Sequence, residues 1–246
     1  MRGLYQNKYG IFDLNIAENI ERVQERIHRA CQRSGRAAKD VKLIAVSKTQ
    51  PAEAVRHAYG AGLREFGENR VQEAAAKRKE LADLDAAWHL IGHLQSNKAK
   101  QACRTFDWIH SVDSLHLAEK INREAAALGR KMPVLIEVHL GTETSKFGVE
   151  EDDLVRMAEG MTKMPSLELC GLMTLPPFFD NPQAVRPFFR RLRELVAHID
   201  ARRLLGVQMK ELSMGMSHDF EIAIEEGATI VRVGTAIFGE RRPKQP

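Results

Sequence analysis

Cysteine is scarce in this sequence, and the patterns of secreted and membrane proteins are missing. Its three cysteines, Cys31, Cys103 and Cys170, are odd in number and too widely spaced for a CxxC or zinc pattern. We therefore expect reduced thiols, which are the rule in the cytoplasm. The first residues lack the apolar stretch of a secretory signal, and no apolar run is long enough to cross a bilayer. No membrane partner is expected.

Several common catalytic fingerprints are also absent. The sequence contains no GxGxxG dinucleotide motif, no GxSxG nucleophile elbow and no HExxH zinc motif. The histidines of the central region do not have the spacing of metal ligands: His89, His93, His110, His116 and His139. We therefore expect neither a bound metal nor a serine-hydrolase triad.

The positive charge is small and scattered. The formal net charge is +4, and the densest basic group consists of Arg186, Arg190, Arg191 and Arg193. Phenylalanine and leucine are interleaved with these arginines, which is typical of a helix with one apolar and one solvated basic face. Because no nucleic-acid-binding motif accompanies the charge, we expect no nucleic-acid partner.

The composition is that of a globular domain, and no linker-like or low-complexity stretch divides it. A first helix is predicted over residues 15–34, because apolar residues recur there at spacings of four and three. Asn15 and Glu18 resemble a capping box, and Gly35 is a typical stop. We assign residues 1–14 to a flexible extension, residues 15–241 to the domain and residues 242–246 to a C-terminal tail.

Short β-type runs then alternate with amphipathic helical stretches. Eight strands are predicted: 42–47, 64–67, 87–91, 108–110, 134–138, 167–173, 211–214 and 229–233. The runs VKLIAV and PVLIEV are almost continuously apolar, as expected for strands that are covered on both faces. This alternation predicts an α/β fold, a single (β/α)8 TIM-type barrel with an extra N-terminal helix. A doubly wound open sheet is the alternative.

Polar residues follow these strands, at the end where such barrels carry their functional groups. Lys48 comes directly after the apolar run of the first strand. Apolar walls disfavour a charged ammonium group, and a neutral lysine amine can form a Schiff base with an aldehyde. A solvated lysine just past a strand end is the other interpretation.

Two later strand ends have the composition of a phosphate site. They carry Ser213, Met214, Gly215 and Ser217 at the end of the seventh strand, and Gly234 and Thr235 after the eighth. Backbone N–H groups in such glycine turns and helix starts bind phosphate, and barrels commonly hold phosphate at these two loops. Two ordinary strand ends, with Ser217 as a helix N-cap, are the alternative.

Taken in order, the strand-end segments resemble the pyridoxal phosphate homeostasis protein family, whose barrel is similar to the N-terminal domain of alanine racemase. The segments are AVSKT (45–49), FGENRVQE (66–73), WHLIGHLQSNK (88–98), SKFG (145–148), GLMT (171–174), LSMGMS (212–217) and VRVGTAIFG (231–239). Each motif is weak alone, whereas the ordered set, which spans about residues 15–241, is specific. The opening residues MRGLYQNKYGIFD and the loop at 141–144 depart from the family pattern.

The resemblance implies that pyridoxal 5′-phosphate (PLP) is bound as a Schiff base on Lys48. It implies that residues 213–217, with Gly234 and Thr235, hold the phosphate. Arg232 is then expected near the cofactor, at either the ring nitrogen or the phosphate, and Asn69 and Met214 are candidate ring-lining residues. An arginine beside the pyridine nitrogen keeps that nitrogen unprotonated, which weakens the electron sink of PLP chemistry.

The resemblance also implies a function, namely intracellular PLP (vitamin B6) homeostasis and cofactor supply to PLP-requiring apoenzymes without catalytic turnover. The alternatives are a PLP-dependent amino-acid racemase and a barrel enzyme that acts on a phosphorylated metabolite without PLP. Barrel racemases complete their site with a further β domain, for which the sequence leaves no room after the last strand. The tyrosines Tyr5, Tyr9 and Tyr59 are poorly placed to act as its acid–base group. We therefore expect a cytoplasmic, monomeric carrier that is not an enzyme.

Overall fold

The fold begins with a short hairpin. The computed structural model describes residues 15–141 and 147–240, together with the backbone of residues 5–7 and 10–12. Strands β1 (Tyr5–Asn7) and β2 (Gly10–Phe12) pair antiparallel, with Tyr5 opposite Phe12. The hairpin lies within the stretch that we expected to be a flexible extension, and the sequence did not predict it. The remaining residues of that stretch and the predicted tail at 242–246 lie outside the described residues.

Eight parallel strands form a closed barrel, which confirms the predicted fold. They are β3 (Lys42–Val46), β4 (Glu65–Glu68), β5 (Ala87–Leu90), β6 (Trp108–Val112), β7 (Met132–Glu137), β8 (Leu167–Met173), β9 (Glu211–Ser213) and β10 (Ile230–Val233). Each strand pairs with the next, and β10 closes the ring against β3, where Val233 lies opposite Ala45. Because the sheet is closed, the alternative of an open doubly wound sheet is wrong.

All eight predicted strands occur, with bounds within two residues of those expected. β8 has the predicted bounds, whereas β6 continues to Val112 and β7 begins at Met132. In both places, pairing with the neighbouring strand extends beyond the apolar run from which the strand was predicted. Val112 of β6, for example, lies opposite Ile136 of β7.

Helices follow the strands and cover the outside of the barrel. They are α1 (Ile16–Arg33), α2 (Ala52–Gly60), α3 (Val71–Glu80), α4 (Ala99–Thr105), α5 (Leu115–Ala127), α6 (Glu151–Met161), α7 (Arg186–Asp200), α8 (Phe220–Glu225) and α9 (Thr235–Phe238). Short 3-10 turns precede α4 and α7, at Ser96–Lys98 and Pro182–Val185. Within the described part of the chain, none of these helices is long and apolar enough to cross a membrane.

Apolar side chains lie both inside the barrel and between its strands and the surrounding helices. Ile44, Leu135, Met173 and Ile230 form the inner layer. Since side chains alternate along a strand, Glu137 and Arg232 share the inner face with Leu135 and Ile230, two residues closer to the strand ends. The inner face therefore carries charged side chains at the C-terminal ends of β7 and β10.

Helix α1 fills the place that a short last helix leaves open. α9 has only 4 residues, and α1 packs against both α8 and α9. The predicted apolar stripe is buried there: Ile16, Ile20, Val23, Ile27 and Ala30. Asn15 caps the helix as predicted by accepting a hydrogen bond from the Glu18 N–H at 3.4 Å. The Asn19 side chain donates to the Ile237 carbonyl at 2.9 Å and ties α1 to α9.

The arginine-rich helix α7 is paired with acidic residues. The pairs are Arg186 with Glu225 and Glu226, Arg190 and Arg193 with Glu226, and Arg191 with Glu151 and Glu194. The predicted amphipathic helix is confirmed, and the positive charge of its polar face is matched by neighbouring carboxylates.

Candidate functional site

The C-terminal ends of the eight strands meet at one end of the barrel, which we call the mouth. Parallel strands necessarily bring these ends together. Lys48 follows β3, Asn69 follows β4, and the loops after β9 and β10 carry most of the remaining candidates. The fold thus collects at the mouth residues that come from distant parts of the sequence.

Lys48 lies in a tight turn directly after β3. The Gln50 N–H donates to the Ser47 carbonyl at 3.0 Å and closes the turn. Thr49 has a φ of 67°, in the left-handed region that residues with a side chain seldom adopt. Such strained conformations persist when their surroundings enforce them, and they are common at functional sites. Lys48 itself is half-buried.

A buried polar cluster lies beneath this turn. The Ser47 hydroxyl donates to Glu68 Oε1 at 2.7 Å, and the Lys77 ammonium donates to the same oxygen and to the Ser47 carbonyl. All three side chains are buried. Because the ammonium holds the Ser47 backbone and the carboxylate holds its side chain, the residue before Lys48 is fixed from two sides.

The side-chain oxygen of Asn69 is available to accept a hydrogen bond. Its Oδ1 is buried and has no hydrogen-bond partner among the described residues. The backbone of Asn69 lies close to Gly92, where an added Cβ would come within 2.6 Å of the Asn69 carbonyl oxygen. A buried acceptor without a donor is costly, so this oxygen suits a ligand that carries an O–H or N–H group.

Ser217 joins the loops after β9 and β10. Its hydroxyl oxygen accepts hydrogen bonds from the N–H groups of Gly234 at 3.2 Å and Ala236 at 3.3 Å. A hydroxyl has two acceptor sites and one donor, so its proton remains to be donated to an anion. Thr235, on the same loop, is exposed. The two predicted phosphate loops are therefore neighbours in space.

Gly215 allows the first of these loops to turn. Its φ is 91°, and an added Cβ would lie 2.5 Å from the Cβ of Ala223 and 2.9 Å from the Cα of Phe220. Only glycine fits both the conformation and the close contact with α8. Met214, the preceding residue, is fully buried.

Arg232 is a buried cation near the mouth. Its Nη1 donates to Ser213 Oγ at 2.6 Å and its Nη2 to the Thr174 carbonyl at 2.9 Å. Burial lowers the pKa of Arg232 to about 10, against the opposing effect of the Asp219 and Glu137 carboxylates. The guanidinium therefore stays charged at neutral pH. Ser213, predicted as a phosphate residue, lies inside the barrel with its hydroxyl between Arg232 and His110.

Glu137, the last residue of β7, lies at the mouth and was not among the predicted site residues. Burial and the nearby Asp113 raise the pKa of its carboxyl group to about 7, although Arg232 and His139 act in the opposite direction. Its Oε2 is buried and has no partner among the described residues. The available signal was its position two residues after Leu135 on the inner face of an apolar strand.

Lys77 was also missed, although the sequence carried a signal for it. The buried residues of α3 are Val71, Ala74 and Lys77, at spacings of three. A lysine in line with the apolar face of a helix has to find a buried partner, here Glu68.

Comparisons with known proteins agree with this geometry. The sequence profile described as alanine racemase, N-terminal domain, matches residues 15–242. A pyridoxal phosphate homeostasis protein of Aquifex aeolicus is 48% identical over 93% of this chain and 100% of that protein. The chain belongs to the pyridoxal phosphate homeostasis protein family.

Solved structures give the same family and fold. PipY of Synechococcus elongatus, described as having PLP bound, matches with a TM-score of 0.82 and 42% identity, over 92% of this chain and 100% of PipY. An alanine racemase of Clostridium difficile matches with a TM-score of 0.69 and 15% identity, over 94% of this chain and 58% of the racemase. At that identity the racemase shows a common fold only, which confirms the barrel expected from the resemblance.

Proposed function

We propose that this chain binds PLP at the mouth, as a Schiff base on Lys48, and serves PLP homeostasis by holding and supplying the cofactor. The observation that carries the proposal is the fixed turn of Lys48 at the same barrel end as the Ser217-joined loops. PLP supplies an aldehyde for the lysine amine and a phosphate dianion for the loops. The relative PipY, at 42% identity, is described with PLP bound, which supports PLP binding by this chain.

The turn before Lys48 suits a covalent anchor. The buried cluster of Ser47, Glu68 and Lys77 holds the backbone on one side of Lys48, and the left-handed Thr49 turns the chain away on the other. The side chain is half-buried at the mouth, where its amine can react with the aldehyde of PLP.

The loops after β9 and β10 suit the phosphate. Ser217 has a hydroxyl proton to donate, and Gly234 and Thr235 form the adjacent backbone turn at the start of α9. Gly215 keeps the first loop close to α8. Backbone N–H groups and hydroxyls bind phosphate oxygens without a requirement for a cationic side chain.

The remaining mouth residues suit the ring. Asn69 Oδ1 can accept a hydrogen bond from a ring hydroxyl, and Met214 adds apolar surface. Arg232 can only donate hydrogen bonds, so it suits an acceptor atom of the cofactor. If the charged Arg232 faces the pyridine nitrogen, that nitrogen stays unprotonated and the ring is a weak electron sink. A cytoplasmic location, a monomeric state and delivery to PLP-requiring apoenzymes complete the proposal.

Absorption spectroscopy tests the cofactor assignment. We expect purified protein incubated with PLP to keep the absorption band of lysine-bound PLP after dialysis, and borohydride to fix the label on the peptide containing Lys48. The Lys48→Ala variant should lose the band, whereas Lys100→Ala, which removes an exposed lysine of α4, should keep it. If no band forms, or if the label maps to another lysine, the proposal fails. A phosphate ester that binds Lys48→Ala and the unmodified protein equally would instead favour a PLP-independent enzyme.

Glu137 is the observation that favours the racemase-like alternative. A carboxyl group with a pKa of about 7 is suited to general acid–base catalysis at neutral pH. The alternative predicts racemisation of an amino acid at about 1 s⁻¹ or faster, with a large loss of kcat in Glu137→Gln. The carrier proposal predicts no such turnover in either protein.

A further inference from the structure

A chain of hydrogen bonds crosses the inside of the barrel from Arg232 to Glu65. Its links are Arg232 Nη1–Ser213 Oγ at 2.6 Å, Ser213 Oγ–His110 Nδ1 at 2.9 Å, His110 Nε2–His89 Nδ1 at 3.0 Å and His89 Nε2–Glu65 Oε2 at 2.6 Å. The five residues lie on β10, β9, β6, β5 and β4. We call this chain the Glu65–Arg232 relay.

The chemistry at its two ends gives the relay a single direction. A guanidinium can only donate, so Ser213 Oγ accepts from Arg232 and its own proton goes to His110 Nδ1. His110 then carries its proton on Nε2 and donates to His89 Nδ1. His89 likewise carries its proton on Nε2 and donates to Glu65, whose carboxylate can only accept. Both ends impose the same direction, so every donor in the relay meets one acceptor.

The charges around the relay agree with two neutral imidazoles. Burial lowers the pKa of His110 well below its ordinary value, and the charges of Arg232 and Lys42 act in the same direction. Burial also lowers the pKa of His89, in spite of its bond to Glu65. Burial acts to raise the pKa of Glu65, but His89 and Lys42 together bring it below the ordinary value. The anion at one end and the cation at the other are therefore both retained.

Arg232 has two fixed points. Its Nη1 is held by Ser213 and its Nη2 by the Thr174 carbonyl, so the plane of the guanidinium cannot rotate without breaking a buried hydrogen bond. None of the ion pairs within the described ranges includes Arg232. The relay thus links Arg232 by hydrogen bonds to the carboxylate of Glu65, in addition to the Asp219 and Glu137 carboxylates, which act on it through space.

We infer that the Glu65–Arg232 relay holds the Arg232 guanidinium in a fixed orientation at the mouth, and that Ser213 is a positioning residue that acts through Arg232. The relay connects the mouth to the opposite end of the barrel interior, where Lys42 lies 3.8 Å from Glu65. Loss of the Ser213 hydroxyl removes one anchor of Arg232 and leaves His110 Nδ1 without a donor. The final step, in which the oriented guanidinium meets the bound PLP, rests on the proposed function. The relay itself does not.

The direction of the relay is tested on the unmodified protein without cofactor. Proton–nitrogen correlation spectra of the imidazole rings distinguish the two neutral tautomers and the cation. We expect His89 and His110 both to be neutral, with the proton on Nε2, at pH 7 and above. Signals are assigned by their loss in His89→Gln and His110→Gln. A proton on Nδ1 of either ring, or a charged ring at pH 7, would overturn the inference.

The positioning role is tested with Ser213→Ala and Ser213→Thr. In cofactor-free protein, we expect resolved Arg232 Nη–H signals in the unmodified chain and in Ser213→Thr, and averaged signals in Ser213→Ala. After PLP is added, Ser213→Ala should bind it about tenfold more weakly, since one hydrogen bond to a charged group is lost. Ser111→Ala removes another fully buried hydroxyl, one that donates to the Gly92 carbonyl, and serves as the matched control.

The measurements without cofactor and the PLP-binding measurements together distinguish failure of the inference from failure of the proposed function. If no variant binds PLP but the tautomers and the Arg232 signals behave as expected, the relay stands and the cofactor assignment falls. If PLP binds equally to Ser213→Ala and the unmodified chain, with unchanged Arg232 signals, Ser213 has no positioning role. A melting temperature measured for each variant shows whether a loss reflects misfolding, and recovery in Ser213→Thr separates the hydroxyl from the space it fills.

Discussion

At the scale of single residues, the two carboxylate oxygens of Glu68 have different surroundings. Its Oε1 accepts hydrogen bonds from Ser47 and Lys77, whereas its Oε2 is buried without a partner among the described residues. The ion pair with Lys77 is therefore what makes a charge at this position tolerable. The stability of the Lys48 turn depends on a residue that lies on α3, outside the barrel.

Removal of that ammonium should be costly. We predict that Lys77→Met lowers the free energy of unfolding by about 3–5 kcal/mol, because it leaves an uncompensated buried carboxylate. The double variant Lys77→Met with Glu68→Gln should recover much of the loss, since the neutral amide can still accept from Ser47. Urea unfolding provides the measurement. Lys79→Met, an exposed change on the same helix, should shift stability by no more than about 0.5 kcal/mol.

Some of these residues could be predicted from the sequence, and others could not. The position of Lys48 and Asn69 at the mouth was predictable because residues that directly follow the strands of a parallel barrel meet at that end. The position of Ser213 inside the barrel was not predictable. It is the last residue of its strand, and a shift of the strand end by one residue would place it in the loop instead. Glu137 is the one charged residue in an otherwise apolar strand. Its burial depends on the strands and loops packed around it, which the sequence of the strand does not show.

At the scale of elements, β8 and β9 approach each other unusually closely. Gly171 in β8 pairs with Glu211 in β9, and an added Cβ would lie 1.9 Å from the Glu211 carbonyl oxygen. Near this point β8 also shifts register against β7, between Val134 and Leu135. The barrel wall at this position leaves no space for a side chain.

We predict that Gly171→Ala lowers the free energy of unfolding by at least about 2 kcal/mol, because the new methyl group meets backbone that cannot yield without loss of the strand pair. Gly60→Ala is the control. Gly60 ends α2 with nothing within 4 Å of an added Cβ, so the substitution should be neutral or stabilise the protein by up to about 1 kcal/mol. Thermal unfolding of both variants gives the comparison. Equal melting temperatures would show that β9 can move away from β8.

The predictability of the elements follows from their length and pattern. The longer strands and helices have apolar periods that can be recognised over five or more residues, whereas β4, β5, β9 and β10 have only 3 or 4 residues and were predicted from their alternation with helices. β1, β2 and α9 are equally short and lie outside this regular alternation. The packing of α1 against α8 and α9 could not be predicted either, because it follows from how the ring closes.

At the scale of the whole molecule, buried ionisable groups make stability depend on pH in opposite directions. The pKa of Glu137 is raised from 4.5 to about 7, so its contribution to stability is complete below pH 4.5 and is lost as the pH rises to about 7. The pKa values of His89 and His110 are lowered, so their contributions are complete above pH 6.5 and are lost as the pH falls. The carboxyl group and the imidazoles thus favour opposite ends of the same range.

A substitution isolates the carboxyl group. We predict that the stability of the unmodified protein relative to Glu137→Gln falls between pH 5 and pH 8, by at most about 3 kcal/mol, because only the unmodified protein must ionise a buried acid. Urea unfolding at both pH values measures the difference, in which the histidine contributions cancel. Glu159→Gln, at an exposed position of α6, should show a much smaller change. A relative stability that rises with pH would contradict a raised pKa.

The packing of α1 against α8 and α9 also determines when folding can finish. Arg26 of α1 pairs with Glu221, 195 residues further along the chain, and Asn19 bonds to Ile237, 218 residues further along. At ribosomal rates of about 5–20 residues per second, α1 waits roughly 10 to 40 s for these partners to be synthesised. During that time the part of its apolar stripe that packs against α8 and α9 lacks those partners, although α2 is already available. The packing of α1 is therefore complete only after α8, the last strand and α9 have been synthesised.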